Sequence, residues 1–552
     1  MAKSPSITIL EQDKSAYTVT TATTTVALVG YATKGPFNLV TDVTSKNDFL
    51  DTFGNPSATS PWGALTALRA FNQTNKVLFV RVGNTVNGDS TTRVAFAERV
   101  IRTYTPTGIA DSSKVVFQAK EYGSSYNTAY ITFTQRTNPV DGDSIYDLKF
   151  YFDSTLMETY ADVSFESADS RYYPTLVNAT IDNGGSSYMV VDTKLRGDLT
   201  NARPVLSSTS GTINTYYLGK STGTSDSRFY CKWRGDTFTA VVGDSHWYTY
   251  KIGRDGILLN SGDTLFTNML ATTASLANQE SWDYHILACP DNSNSAVADA
   301  GIALAEYRKD FLFLVDPPFG KTAANVVNWH NGTGTQGRST VLNSSYAATY
   351  WPWLKDYNSL SGQYVYSPPS QFLVEKLCEV DKYYGPWYAP AGDIRGKIIA
   401  YDYETSPSLS DRENLYGDLN AVNPIVNFAT KGLEVYGQKT LLRSTTALNR
   451  VNVRRMVIYA KKLIKTAMDS IVFEPHNADS WARARTIINS ILEPIRQGGG
   501  LSDYKVTIDS TTNTSDLIAQ SIMKGIIQLV PVGTIEIIEL TMQIKAAGST
   551  IT

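Results

Sequence analysis

Thr534-Ile-Glu-Ile-Ile-Glu-Leu-Thr-Met-Gln-Ile544, near the end of the 552-residue chain, alternates apolar and polar positions. Ile538, Leu540, Met542 and Ile544 fall on one face and Glu539, Thr541 and Gln543 on the other, the two-residue period of a strand. Ile535 and Ile537 keep the opposite phase, so the slip at Ile537-Ile538 predicts a bulge or a change of neighbour. An apolar-faced strand at a chain end has two outlets: it closes its own sheet, or it adds to a sheet of another copy.

Working upstream, Arg450 to Phe473 reads as a helix. Val453, Met456, Val457, Ala460, Ile464, Ala467, Met468 and Ile471 follow helical spacing. Arg454, Arg455, Lys461, Lys462 and Lys465 form a basic stripe off that line, and Pro475 ends the helix. A second helix begins after Asn477 or Ser480, with Trp481, Ala484, Ile488, Ile491 and Ile495 on its buried side; Pro494 bends or stops it and Gly498-Gly-Gly500 is loop. Lys505–Asp509 and Ile522–Val532 read as strands, with a helical turn at Ser515–Gln520 between them.

Several short motifs run through this region in a fixed order: Asn423-Pro-Ile, Gly432-Leu-Glu-Val-Tyr-Gly-Gln-Lys-Thr-Leu441, Val451-Asn-Val-Arg-Arg455, Phe473-Glu-Pro-His-Asn477, Trp481 and Gly499-Gly-Leu501. Together they resemble the C-terminal core of contractile tail sheath proteins, the sheaths of myovirus-type phages and related injection machines. Many sheaths carry Trp where this chain has Tyr436.

The N-terminal region carries further motifs of the same resemblance. Val26-Ala-Leu-Val29 reads as a buried strand followed by Gly30 and the turn Lys34-Gly-Pro36, then helices at Asp48–Phe53 and Trp62–Asn72 and a second buried strand, Val77–Val82. From about Leu265 a strand–helix alternation resumes: Tyr284–Ala288, a helix over Ala296–Asp310, Phe311–Val315, then a helix over Ala323–Trp329. Such alternation implies parallel pairing. Ser367-Pro-Pro-Ser370 and Asp381-Lys-Tyr-Tyr-Gly-Pro-Trp-Tyr-Ala-Pro-Ala391 again resemble the sheath family, so the likeness covers roughly residues 20–95 and 265–545. Between them, residues 97–263 break into short alternating segments bounded by Gly, Asn, Asp and Ser, and hold 15 of the 33 tyrosines; they read as an inserted all-β domain.

The expected architecture is therefore α/β and α+β multidomain: a mixed-sheet core with helices, an inserted all-β outer domain, and extended N- and C-terminal strand arms. The expected boundaries are residues 1–22 for an N-terminal arm, 23–96 for the opening portion of the core, 97–264 for the insert, 265–426 for an α/β middle domain, 427–533 for a C-terminal core and 534–552 for a strand arm. Ile7, Ile9 and Leu10 in the first arm, and Ile535, Ile537, Ile538, Leu540, Met542 and Ile544 in the second, are the candidate inter-subunit residues, because an apolar strand left uncovered is an aggregation hazard.

Composition sets bounds on function. A net charge of −3 gives no general attraction to nucleic acid or to an anionic membrane. Cys231, Cys289 and Cys378 show no metal or redox spacing, and no apolar run reaches the length of a membrane span; these fit a soluble protein made in a reducing cytoplasm. Gly320-Lys-Thr322 suggests a phosphate loop, but the glycine needed five residues earlier is Val315, so a helix-start loop is the better reading. His246, His285, His330 and His476 make no metal-binding pair, no nucleophile elbow occurs, and Asp141-Gly-Asp143 lacks the rest of a calcium loop. No cofactor, metal or catalytic residue is expected.

The resemblance implies a mechanical role: six-fold discs stacked helically around a tail tube, contracting to drive the tube through a host envelope. It implies the chain itself, a tail tube protein, a baseplate and tail terminator or neck proteins as partners, with no direct nucleic acid and no membrane insertion, in a virion tail assembled in a bacterial cytoplasm. On that reading Arg454, Arg455, Lys461, Lys462 and Lys465 are candidate tube-facing residues; the plainer alternative is a solvated helix face. A DNA-free injection device has the same outline. A glycan-binding or depolymerising tail protein, with the Tyr-rich insert as its platform, is the rival from another class.

Overall fold

The computed structural model describes residues 24–57, 60–83, 94–105, 108–122, 129–137, 144–152, 154–165, 168–194, 213–217, 249–251, 254–255, 263–334, 337–358, 362–417 and 419–536. Ile7, Ile9, Leu10, Ile537, Ile538, Leu540, Met542 and Ile544 lie outside the described residues, as does His246.

The continuous apolar runs form the centre. β1 (Val26–Gly30), β3 (Val77–Arg81), β4 (Ile286–Ala288), β5 (Leu312–Val315), β6 (Ala347–Trp351) and β7 (Val422–Phe428) pair in parallel. β2 (Val40–Val43) and β8 (Gly432–Val435) add antiparallel edges, giving the order β2-β3-β1-β4-β5-β6-β7-β8. A parallel sheet covered on both faces favours strands that are apolar on both sides, which β1, β4 and β5 supply throughout; β3 ends on Arg81, β6 carries Thr349 and β7 carries Asn423 and Asn427. Val26, Leu28, Phe79, Ile286 and Leu314 face α1 (Lys46–Phe53), α2 (Trp62–Ala70) and α5 (Pro369–Tyr383). Ala27, Val29, Leu287, Phe313 and Val315 face α3 (Ser295–Arg308). Trp329, on α4 (Ala323–Asn331), joins that second face. Each such fully buried Val, Leu or Phe contributes about 1.5–3 kcal/mol.

The chain leaves this sheet after β3 and re-enters it at β4, and β1 pairs with both. The segments 23–96 and 265–426 thus build a single sheet between them, and the expected boundary at residue 427 falls inside the β7–β8 pair. The intervening segment holds two antiparallel sheets. One orders Ile213–Tyr217, Tyr130–Thr137, Ser144–Phe152 and Thr155–Val163; the other orders Thr249–Lys251, Val94–Thr105, Gly108–Tyr122 and Met189–Lys194. Phe117, Phe133, Phe150 and Tyr173 share a core. Tyr173 opens a short helix, Tyr173–Asn178, so this segment is not all β. Pro174 near the helix start, where a missing N–H costs nothing, was the overlooked signal.

The third region follows the helical periods. α6 (Val451–Met468) and α7 (Ala478–Gln497) pack through Val453, Met456, Ala460, Trp481, Ala484, Ile488 and Leu492. The Asn477 side chain caps α7 by accepting from the Ser480 amide at 3.0 Å. Pro494 sits inside the last turn of α7 rather than stopping it. After it, Gly499 takes φ +80°, and a Cβ on Gly500 would lie 2.8 Å from the Trp387 ring, so the glycine run lets the chain pass under that indole. β9 (Leu501–Thr507) and β10 (Ile526–Pro531) then pair antiparallel against α7.

Candidate interaction surfaces

In α/β sheets a ligand ordinarily sits beyond the carboxyl ends of the strands where the order reverses. Here that point lies between β1 and β4, and a side chain of the protein fills it. Asp291 accepts from the amides of Tyr31 (2.9 Å) and Gly63 (3.0 Å) and from the Ser60 hydroxyl (2.6 Å). Gly30 and Gly63 make room: a Cβ at either would stand 2.6 or 2.3 Å from the Asp291 carboxylate. The carboxylate rests on the N-terminus of α2, the position a phosphate takes in a nucleotide site. One strand over, Asp316 accepts from the Ser370 amide (2.9 Å) and hydroxyl (2.5 Å) at the start of α5. Burial pushes both carboxyls up to about 7, against the hydrogen bonds that favour their charged form. Sequence reading passed over both residues.

The remaining candidates for chemistry are structural. Gly320 donates to Glu404, and Thr322 caps α4, so Gly320-Lys-Thr322 is a helix-start loop. Burial holds the His285 imidazole down to about 3 and His330 to about 4, both neutral at ordinary pH. Among the described residues no three His, Cys, Asp or Glu converge as a metal site, and no helix is long and apolar enough to cross a membrane.

The basic stripe of α6 is largely occupied within the chain. Arg455 pairs with Asp381 and is almost wholly buried. Arg454 is buried over the Tyr346 ring, 4.0 Å from its centroid, and donates to Ser345. Lys462 bonds Asp283 at 2.5 Å and the Tyr284 carbonyl. These three heads tie α6 to α5 and to the loops that enter β4 and β6, so neither a solvated face nor a surface charge describes them. Two arginines close to the start of a helix, where the backbone dipole disfavours cations, were the available sign that they had partners elsewhere. Lys461, reaching the Lys309 carbonyl at 3.0 Å, and Lys465, 3.5 Å from Gln279, are exposed.

The β9–β10 ladder differs. Among the described residues it pairs with no third strand, so both its outer edges are open. Val506, Ile527 and Leu529 turn toward α7, while Ile526, Val530 and Val532 are exposed. Beyond β10 the chain runs across the surface without strand pairing. Gln438 donates to Thr534 at 2.6 Å, Arg450 pairs with Glu536 at 2.7 Å, and Ile535 is 83% exposed. The open ladder thus lies beside the path into the predicted C-terminal strand.

No protein-family model matches the chain. It is 27% identical to the tail sheath protein of Enterobacteria phage T4 over 322 residues, 54% of this chain and 48% of that protein. It is also 27% identical to the tail sheath protein of Vibrio phage KVP40 over 256 residues, 43% and 37% of the two. The chain spans less than half the length of these curated relatives. Its fold matches the crystal structure of the sheath tail protein from Desulfitobacterium hafniense with a TM-score of 0.54, covering 96% of this chain and all of that one at 10% identity. The chain resembles tail sheath proteins. The likeness holds in both sequence and fold, and the relatives are named for a structural component.

Proposed function

We propose that the chain is the structural subunit of a contractile tail sheath. It polymerises as a helical stack of hexameric discs around a tail tube, with a baseplate at one end and terminator or neck proteins at the other, and contracts to push the tube through a host envelope. The observation that carries this reading is the open β9–β10 ladder beside a chain end with strand periodicity. A subunit offering open edges and a terminal segment with strand periodicity makes unequal, head-to-tail contacts, which propagate into rings or helices. Main-chain pairing at about 1 kcal/mol per hydrogen bond holds neighbours together while rigid sheets rotate. Contraction is then a switch between two packings of one subunit, with the extended form held kinetically. In this reading the Tyr-rich insert faces outward, and Lys461 and Lys465 are the stripe members left to meet the tube.

Negative-stain microscopy tests the proposal. The full chain should form hollow tubes, and a chain ending at Gly533 should stay folded and monomeric. Dispersed particles from the full chain that bind glycans would instead support the rival tail-protein reading.

A further inference from the structure

Three side chains from separate parts of the chain converge on the carboxylate of Glu536. Tyr416 follows a short helix, Leu409–Leu415; Gln438 follows β8; Arg450 directly precedes α6. Arg450 meets the carboxylate with two donors of its guanidinium, Nε at 2.7 Å and Nη2 at 2.8 Å. The Tyr416 hydroxyl donates at 3.3 Å, and Gln438 Nε2 stands at 3.5 Å. These donors are held by the body of the protein. The Tyr416 hydroxyl accepts from the Gln438 amide at 3.3 Å, which leaves its own proton for Glu536. Lys439 Nζ lies 4.3 Å from the centre of the Tyr416 ring and donates to the Tyr416 and Gly417 carbonyls at 2.9 and 2.8 Å. Burial pushes the Tyr416 phenol well up from its ordinary value, and the Glu536 charge adds to this, so the phenol keeps the proton it donates. An isolated ion pair in water contributes little. Here the Arg450 and Glu536 side chains are only 28% and 26% exposed, and a two-pronged guanidinium backed by a phenol and an amide is a built carboxylate site.

The same contacts fix the phase of the segment that carries Glu536. Gln438 Nε2 reaches both Thr534, at 2.6 Å, and Glu536, so these alternate residues share one face, as they do in an extended chain. Ile535 between them is turned away and exposed. A slip of one residue would press Ile535 against the polar donors and strip Glu536 of its partners. We propose that Tyr416, Gln438 and Arg450 form a carboxylate clasp that sets the phase in which the C-terminal segment leaves the body, presenting Ile535 outward to a second copy of the chain. The clasp thus makes Glu536 a determinant of association although its own contacts lie within one copy. This deepens the proposed assembly and rests on it for its second partner, whereas the clasp itself can be read in the monomer.

Two conservative variants of the full chain test the role in association. Glu536→Gln keeps the shape of the side chain and removes its charge; Arg450→Met keeps the stem and removes the donors. Each should raise the protein concentration needed for tubes to pellet by about tenfold, with the urea midpoint of the monomer unchanged. The double variant should be no worse than either single one, because both break one clasp. Unaltered assembly, additive losses, or a loss that tracks a lower urea midpoint overturns the proposal. A full-length Q438C/T534C chain reads the clasp without assembly, at dilutions where the protein is monomeric. A short bismaleimide should link it internally, a product absent from either single cysteine variant, and adding Arg450→Met should cut the yield several-fold. No internal link, or equal yields, also overturns the proposal. If the native chain forms no tubes, the sheath reading fails, and the linking result alone decides the clasp.

Discussion

The eight-stranded sheet and the β9–β10 ladder use the same hydrogen-bonding groups in opposite ways. In the sheet, the central strands are largely apolar on both faces and the carboxyl-end crevice is closed by the protein's own side chains, Asp291 against the start of α2 and Asp316 against the start of α5. In the ladder, two strands pair once and, among the described residues, leave both edges open near the exposed Ile535. A sheet whose ligand position is filled from within serves as a rigid body rather than a binding site. A two-stranded ribbon is marginal by itself and gains from further strands. On the proposed reading, the difference assigns rigidity to the first region and association to the second.

The sharpest way to break that contrast is to empty the crevice. Asp291→Ala leaves two backbone amides and the Ser60 hydroxyl facing a void. At about 1–3 kcal/mol for an unpaired buried group, partly offset by removal of a desolvated carboxyl, the expected loss is about 2–4 kcal/mol at pH 6. Urea unfolding of the monomer measures it. A loss under about 1 kcal/mol would mean that water replaces the carboxyl, and that the crevice is an open site after all.

A milder test uses pH. In the unfolded chain Asp316 ionises near 4, whereas in the folded chain burial raises its carboxyl to about 7. Between these values the folded chain holds the extra proton, so this stabilisation is complete below about pH 4 and is lost as pH rises through 7. Asp291 titrates in the same window and sense. Asp316→Asn, which can still accept from the Ser370 amide, should remove its share of the slope, on the order of 1–2 kcal/mol between pH 5.5 and 7. An unchanged slope, measured by denaturant titration at several pH values, would show that Asp316 is charged throughout.

The elements were legible in the sequence where one local pattern decided them. The apolar runs of β1, β3 and β5 and the period of α7 stand in the structure, with Asn477 rather than Ser480 as its cap; the helix read over Arg450–Phe473 runs over Val451–Met468, followed by a tighter turn at Asp469–Ile471. The strand read over Ile522–Val532 begins only at Ile526, because the Asn513 side chain bonds both the amide and the carbonyl of Lys524 and holds that stretch as loop. What local pattern cannot show is partnership across the chain. Asp291 meets Tyr31 across 260 positions, and Arg455 meets Asp381 across 74. Periodicity puts a basic stripe on one side of a helix but does not say what that side faces. The result was a surface expected at Arg454 and Arg455 where the structure has a buried seam.

Lys465 gives the smallest and most discriminating prediction, because it shares its helix with Arg455 and differs in everything else. Arg455 is buried on a carboxylate, whereas Lys465 is exposed with only a long contact to Gln279. Charge on the first is spent on the α5–α6 seam; charge on the second is available to a partner. Lys465→Glu should therefore leave monomer stability within about 0.5 kcal/mol, the usual range for a surface substitution. If α6 faces the tube, the same change should weaken sheath–tube association by on the order of 1 kcal/mol or less per site, an effect that fades as salt rises beyond about 0.15 M. Co-sedimentation with tubes at low and high salt separates the outcomes. Weakening at low salt alone supports a tube-facing Lys465. Equal binding at both salts assigns α6 wholly to the seam, and the contact with the tube must then be sought on another face of the sheet.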